Sequence, residues 1–279
     1  MLPSYNTSLA LSALCKVDLP QAREAVPQLQ KFLRDLQWSD KSDPASGGSE
    51  APKPVGKDHA FYGGVGYGKH GRPDGSNLNL FMQAMQDSGV SAGDESVQRA
   101  VVFLQRLQML DGVNEMPYAK GSRQGGFIYA TVESAQSVDG RAGQSMAGEI
   151  EETLDDGTRV SRLRCYGSMS YAGFKSYLYA ELPRDDPRVK AALDWIAHNY
   201  TVTENPGMGS DGLYYYYVAF ARALRAWGAP KLEIKKADGT TEQRDWANDL
   251  IDQLATLQND DGSFEPQKDR WMESDPTLI

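Results

Sequence analysis

Four hexapeptides of similar shape decide the fold: FLRDLQ at 32–37, FLQRLQ at 103–108, WIAHNY at 195–200 and QLATLQ at 253–258. Each one ends an amphipathic segment, and a glycine-containing turn follows it. Repetition of this kind is typical of proteins that stack copies of one supersecondary unit. The sequence therefore predicts a repeat architecture with four visible units.

Each unit holds two predicted helices. The helix that ends in the hexapeptide mixes apolar and charged residues at helical spacing, as in Val97, Val101 and Leu104 beside Arg99 and Arg106. That pattern indicates one buried face and one wet face, so we call it the outer helix.

The partner helices are rich in small, apolar and aromatic residues and carry few charges, which favours burial against other helices. We call them inner helices, and we expect Ser76, Ser168 and Asp211 to cap three of them, because short polar side chains accept first-turn amides. The predicted inner helices span 6–14, 76–88, 168–182 and 211–227.

Two segments break the helical pattern. Residues 149–154 and 158–163 alternate around Asp155, Asp156 and Gly157, which predicts a β-hairpin. Residues 231–236 followed by Asp238 and Gly239 predict a second, smaller hairpin.

Composition excludes some classes of function. The chain has 279 residues, 40% hydrophobic residues and a net charge of −9, so it can bury a sizeable core but offers nucleic acid little cationic surface. No apolar run reaches the roughly 18 residues of a membrane span, and no signal peptide is visible. Cys15 and Cys165 predict no disulfide framework and leave the compartment undecided. Because repeat-like sequence stands at both ends, we expect one domain, 1–279, truncated at both ends.

The resemblance to known families rests on several motifs. The run from Gln258 through Gly262 to Phe264 resembles the QW motif, Q-x-x-x-G-x-W, of squalene and oxidosqualene cyclases, with phenylalanine in the place of tryptophan. The segments at 166–177, 185–190 and 205–217 resemble bacterial prenyltransferase/squalene-oxidase repeat proteins, of the kind found in planctomycetes. The resemblance implies an all-α fold, an α/α toroid whose inner helices open at their N-termini towards a central cavity.

The catalytic sets of the resembled families do not transfer. Class II terpene cyclases protonate their substrate with D-x-D-D, and this motif does not occur in the sequence. Protein prenyltransferases bind zinc through Asp, Cys and His, but only Cys165 and Tyr166 match that pattern, with Leu163 at the aspartate position. His59, His70 and His198 are interpreted as structural or solvated, and the tryptophans, Trp271 among them, as packing residues. We therefore predict no metal and no cofactor.

The starts of the third and fourth inner helices hold the residues expected to face the cavity: Cys165, Tyr166, Tyr171, Tyr214, Tyr215 and Tyr216. Consecutive tyrosines point around most of a helix, so the last three of these residues and Tyr217, four in a row, cannot share one role. Asp211 and Arg164 are the weak candidates for acid-base catalysis.

Three functions stay open from the sequence. The first is a terpene-cyclase-like repeat domain that binds an apolar ligand of the isoprenoid class without a recognisable catalytic motif. The second is a non-catalytic scaffold or toroid that binds a protein or a glycan, which a shallow polar cavity would favour. The third is a lyase or hydrolase acting on polysaccharide, because α/α toroids also occur among such enzymes.

Overall fold

The computed structural model describes residues 2–42, 51–68, 71–134, 136–137, 141–154, 156–266, 268, 273 and 275. His70, Asp155 and Trp271 lie outside these residues. The described part folds into eight α-helices, one short 3-10 helix (Pro117–Ala119) and two antiparallel hairpins, so the predicted all-α class with two hairpin insertions is confirmed.

The helices alternate between an inner and an outer layer, as predicted. The inner helices are α1 (Pro3–Leu14), α3 (Gly75–Asp87), α5 (Gly167–Tyr179) and α7 (Leu213–Trp227). The outer helices are α2 (Pro20–Asp35), α4 (Glu95–Leu107), α6 (Pro187–His198) and α8 (Trp246–Leu257). Each inner helix packs on the next along the chain, and each outer helix packs on the inner helix before it. This layering is that of an α/α toroid, here as an arc of four units.

The two hairpins lie where the alternating sequence predicts them. Strand β1 (Glu149–Thr153) pairs with β2 (Arg159–Leu163) and leads into α5. Strand β3 (Leu232–Lys235) pairs with β4 (Thr241–Arg244) between α7 and α8. Both are surface insertions that leave the helical repeat intact.

The glutamine that ends the first hexapeptide joins consecutive units. The Gln37 side chain is fully buried, and its Nε2 donates to the carbonyl of Gly63 (2.9 Å) in the following turn. The same Nε2 donates to the carbonyl of Ser96 (2.8 Å), the second residue of the next outer helix. We call this pair of bonds the glutamine clamp.

The second unit repeats the clamp. Gln108 Nε2 donates to the carbonyls of Gly125 (2.8 Å) and Arg188 (2.9 Å), and Arg188 is again the second residue of an outer helix. In the third unit, Tyr200 takes the place of glutamine, and its hydroxyl donates to Asp249 on α8. The hexapeptides are therefore the joints between units.

A glycine in each clamped turn lets the next outer helix approach closely. Gly63 and Gly125 have φ angles of +84° and +81°, which favour glycine. A Cβ on Gly63 would lie 1.9 Å from the carbonyl oxygen of Arg99, and one on Gly125 would lie 2.5 Å from that of Ala191. Both carbonyls belong to the fifth residue of the next outer helix.

The predicted N-caps of the inner helices are wrong. Asp74, not Ser76, caps α3 by accepting from the Asn77 amide (2.9 Å). The N-cap of α5 is Tyr166, and Asn205 from a later turn accepts the Ser168 amide (2.9 Å). The N-cap of α7 is Gly212, and Glu273 accepts the Tyr215 amide (3.0 Å). Groups distant in sequence cap two of these helices, which local sequence could not indicate.

Candidate functional site

Four of the predicted cavity residues are buried in the packed core: Cys165, Tyr166, Tyr171 and Tyr216. The Tyr171 and Tyr216 rings pack edge to face with centroids 5.5 Å apart, and neither residue has accessible surface. Because both side chains are fully buried, a ligand would reach them only after a movement of the surrounding side chains. Their role in lining a cavity stays a prediction.

The tyrosines at the start of α7 serve different partners, as the helical geometry predicts. Tyr216 donates to the carbonyl of Thr201 (2.7 Å), and Tyr214 donates to that of Glu265 (3.1 Å). The Tyr215 hydroxyl instead crosses to α3, where it lies 3.2 Å from Ser76 Oγ. The Tyr215 hydroxyl therefore connects α7 with α3, an inner helix that does not directly precede α7 in the chain.

The candidate acid-base pair occupies a more exposed position. Arg164 is exposed at the end of the first hairpin. The Asp211 carboxylate lies 3.7 Å from Lys268 Nζ, and both groups sit outside the core. No catalytic geometry is assigned to this pair.

A buried carboxyl group that the sequence analysis missed lies at the start of α3. Asp74 is 1% exposed, and both of its oxygens accept hydrogen bonds from Asn77: Oδ1 from the backbone amide and Oδ2 from Nδ2 (2.8 Å). Ser4 Oγ on α1 lies 3.0 Å from Asn77 Oδ1 and also donates to the carbonyl of Gly66. The first turns of α1 and α3 are thus joined through polar side chains.

Tyrosines surround this carboxyl group. Tyr67 is hydrogen-bonded to Tyr129 and to the Asn77 side chain, and both tyrosines interact electrostatically with Asp74. Tyr215 reaches the same region from α7, where it also accepts from Asn79 Nδ2 (3.3 Å). We define the Asp74 face as this set: Asp74, Ser76, Asn77, Asn79, Tyr67, Tyr129 and Tyr215.

Burial controls the protonation of the Asp74 face. Desolvation raises the pKa of Asp74 to about 6, against the opposing effect of its hydrogen bonds from Asn77 and of nearby Arg72. Burial also raises the pKa of Tyr215 to about 12, and burial together with the Asp74 charge raises the pKa of Tyr129. The tyrosines are therefore neutral at physiological pH, whereas Asp74 changes its charge near pH 6.

Part of the Asp74 face is accessible. Tyr67 is 36% exposed, and Ser76, Tyr129 and Tyr215 are partly exposed. The Oδ1 atom of Asn79 is buried and accepts no hydrogen bond within the described residues. An unsatisfied buried acceptor is costly, so a donor that reached this atom after a small side-chain movement would gain a hydrogen bond.

Two depressions lie elsewhere on the surface. One, of about 750 Å³, lies between α6 and the second hairpin and is lined in part by Lys190, Asp194, Trp227 and Lys235. The other, of about 390 Å³, lies beside the first hairpin near Arg123 and Glu152. Among the described residues, no cluster of His, Cys, Asp and Glu could hold a metal ion, and no helix has the length and apolar character needed to cross a membrane.

Proteins similar to this chain are found among solved structures. No protein-family description matches the sequence, and no curated protein matches it. Two solved structures are similar across 94% of this chain and 71% of their own: the type II terpene cyclase MstE from Scytonema without ligand (14% identity, TM-score 0.35), and a substituted form of MstE from Scytonema in complex with the product merosterolic acid A (11% identity, TM-score 0.34).

Proposed function

We propose that the domain binds a hydroxyl-rich ligand of the glycan class at the Asp74 face and that binding, rather than catalysis, is its function. The observation that carries this proposal is the combination of partly exposed tyrosine side chains with a buried carboxyl group and two amide side chains at one end of the inner layer.

The chemistry of this face suits sugar hydroxyl groups. A hydroxyl group donates and accepts, so it can donate to the unsatisfied Asn79 Oδ1 and also bond the hydroxyl of Tyr67 or Tyr215. Aromatic rings such as that of Tyr67 offer an apolar surface for the face of a sugar ring. Polar groups that converge beside aromatic side chains are typical of small-molecule sites.

The interior of the arc favours a shallow site over a deep apolar cavity. Direct side-chain contacts link the inner helices: Tyr215 bonds Ser76 across α7 and α3, and Lys175 bonds Gln83 across α5 and α3 (2.9 Å). Among the described residues, the largest fully buried side chains include Tyr171, Tyr177 and Phe174 of α5. Their rings pack against those of Tyr216, Phe127 and Trp227.

Titration with soluble oligosaccharides of glucose and of N-acetylglucosamine, followed by NMR or calorimetry, tests the proposal. We expect saturable binding that weakens about tenfold in Tyr215→Phe, because this variant loses a hydroxyl group that can both donate a hydrogen bond to the ligand and accept one from it. Tyr214→Phe is the matched control, since that hydroxyl bonds Glu265 outside the Asp74 face. Equal affinity of the two variants, or no binding at all, would reject this site. Shortened oligosaccharides in the mixture would favour the lyase or hydrolase hypothesis with Asp211 and Arg164.

One observation favours a second candidate, an isoprenoid-binding, cyclase-like function. Asp74 keeps its proton up to about pH 6 and lies among aromatic rings, which can stabilise a cation. Incubation with squalene and with its epoxide, followed by mass spectrometry and NMR of the extracted lipid, tests it. A cyclised product that disappears in Asp74→Asn would support this candidate, and unchanged lipid in the wild type would exclude both substrates.

A further inference from the structure

The last clamp glutamine has a different environment from the first two. Gln258 Nε2 donates to the carbonyl of Gly262 (3.0 Å), which reproduces the bond that Gln37 makes within its own turn. Gln258 is exposed, however, whereas Gln37 and Gln108 have no accessible surface. Within the described residues, the second bond of the clamp, to the carbonyl of a following outer helix, is not made.

The turn glycine of this unit is also uncovered. Gly262 has a φ of +86°, like Gly63 and Gly125. A Cβ on Gly63 or Gly125 would collide with an outer helix, but within the described part of the chain a Cβ on Gly262 would meet only Gln258 Nε2, at 3.8 Å. The turn is therefore shaped to receive an outer helix that the described residues do not supply.

Apolar side chains extend this surface onto the last two helices. Ile251 on α8 is 61% exposed and Val218 on α7 is 49% exposed, and Leu250 is the only buried residue of α8. We define the C-terminal edge as Val218, Ile251, Gln258 and Gly262. Large exposed apolar side chains on adjacent helices indicate a contact surface.

The opposite end of the arc offers a matching surface. Exposed apolar side chains before, on and after α1 form it, together with the start of α2: Leu2, Leu9, Val17, Leu19, Gln21 and Glu24. We define this set as the N-terminal edge. Six of the eight large hydrophobic residues that are exposed in the described part belong to these two edges.

The register of α2 matches that of the helices already held by clamps. The clamp binds the carbonyl of the second residue of an outer helix, and the turn glycine lies beneath the carbonyl of the fifth. In α2, which begins at Pro20, these residues are Gln21 and Glu24, and both are exposed. Helix α6 likewise begins with a proline, Pro187, so α2 has the start of a helix that a clamp accepts.

The charges of the two edges are complementary. Residues 246–264, which include α8 and the last turn, carry four aspartates and no basic residue. Residues 16–34, which include most of α2, carry four basic and two acidic residues. Opposite net charges favour encounter between two surfaces and disfavour pairing of either surface with itself.

We propose that a second copy of this chain docks head to tail, with its N-terminal edge on the C-terminal edge of the first. Helix α2 of the second copy packs against α8, and its α1 packs against α7, which continues both layers of the arc. Gln258 then donates to the carbonyl of Gln21, and Gly262 lies beneath the carbonyl of Glu24. Because the contact joins two different surfaces, each added copy leaves one edge open, so the chains form open oligomers or a ring.

Sedimentation of three variants across a range of protein concentration, from micromolar upward, tests the contact. Ile251→Asp alters the C-terminal edge, Leu9→Asp alters the N-terminal edge, and Ile150→Asp, on the first hairpin, is the matched control at an exposed isoleucine. We expect wild type and Ile150→Asp to form a concentration-dependent series of oligomers. Each edge variant should weaken self-association at least about tenfold, as expected for a desolvated charge at an interface. Circular dichroism establishes that each variant is folded.

Mixing the two edge variants provides the decisive measurement. Ile251→Asp keeps an intact N-terminal edge and Leu9→Asp keeps an intact C-terminal edge, so the mixture should form 1:1 dimers and nothing larger. Dimers of either variant alone that are as stable as those of the mixture would indicate a symmetric contact and overturn the proposal. A monomeric wild type, a mixture that stays monomeric, or equal weakening by Ile150→Asp would overturn it as well.

Discussion

The burial and the capping role of Asp74 are difficult to predict from the sequence, because its neighbours in sequence indicate an ordinary turn. The surrounding sequence is typical of a turn, with Pro73, Gly75 and Ser76. Because Ser76 is a suitable N-cap, the local sequence favours it over Asp74 as the capping residue. The structure buries Asp74 against Asn77 and beneath tyrosines from distant parts of the chain. The sequence signal was an aspartate directly before an inner helix, but its burial depends on tertiary packing.

Substitution of Asp74 should change the pH dependence of stability. Its carboxyl group titrates near 3.8 when unfolded and at about 6 when folded, so the folded state binds more protons between these values. The free energy of unfolding of the wild type should therefore fall by about 3 kcal/mol, relative to Asp74→Asn, as the pH rises from 4 to 7. Urea unfolding at several pH values measures it. Asp185→Asn, at an exposed carboxyl group, should show no such trend.

Lys175 is the second buried ionisable residue of the inner layer. Its Nζ donates to Gln83 Oε1 and lies 5.2 Å from the Tyr179 ring centroid, and the side chain is 1% exposed. Burial, aided by Arg222, lowers its pKa to about 7. The sequence predicted an inner helix with few charges, and the lysine proved to lie inside the core instead of snorkelling outward.

Lys175→Met should stabilise the protein at low pH. Below pH 7 the folded wild type holds a buried charge. Between pH 7 and the unfolded pKa of 10.5, folding must release a proton from Lys175, and this cost falls as the pH rises, so wild-type stability increases with pH over that interval. The advantage of Lys175→Met should be roughly 4 kcal/mol at pH 6, less the lost hydrogen bond to Gln83, and should shrink towards pH 10. Lys190→Met, at an exposed lysine of α6, should keep a constant difference from wild type. A constant difference for both variants would contradict the buried charge.

At the scale of elements, the hexapeptides were the most informative signal. The sequence predicted eight helices and two hairpins in the order observed, because helical and alternating periodicities report directly on which side chains face the core. The sequence did not predict the hydrogen bonds made by the glutamine that ends a hexapeptide. Its two acceptors lie in the next turn and on the next outer helix, and for Gln108 the second acceptor is 80 residues away.

Gln108→Ala and Gln258→Ala form a matched pair that isolates the clamp. Gln108→Ala leaves two buried carbonyls and the Tyr177 hydroxyl without their partner and should cost about 3 kcal/mol in the free energy of unfolding. Gln258→Ala removes one exposed bond and should change stability by less than about 0.5 kcal/mol at a concentration where the protein is monomeric. Chemical denaturation measures both. Similar costs for the two variants would show that the clamp does not depend on the next unit.

At the scale of the whole molecule, burial is uneven along the arc. Helix α5 lies between α3 and α7 beneath α6, and eleven of its thirteen residues are buried. Helix α8 contributes one buried residue to the core. The layered order was predictable from the repeats and from the low charge of the inner segments, whereas the filling of the interior by Tyr171, Tyr216 and Lys175 was not, since tyrosine and lysine occur equally well on a wet surface.

The uneven burial along the arc predicts that backbone amides are unequally protected from hydrogen exchange. In a repeat protein, each unit is stabilised chiefly by its neighbours, and opening begins where a neighbour is missing. Hydrogen exchange followed by mass spectrometry at low protein concentration should show the fastest exchange among the helices in α8 and in the first turns of α2, and the slowest in α5. Uniform protection of α5 and α8 would mean that the arc unfolds as one unit.

The glutamine clamp also gives the chain a direction that its helices alone do not have. Both complete clamps among the described residues are supplied by one unit and completed by the next, and the donor is the last residue of the hexapeptide in each. Cutting after Gln37 and rejoining at Met109 would remove one unit and leave a glutamine ahead of the Gly125 turn and the Arg188 carbonyl. Gain or loss of whole units between glutamines thus keeps the clamp bonds at the remaining joints, so only the packing between newly adjacent inner helices, here α1 and α5, has to change when the length of the arc varies by recombination.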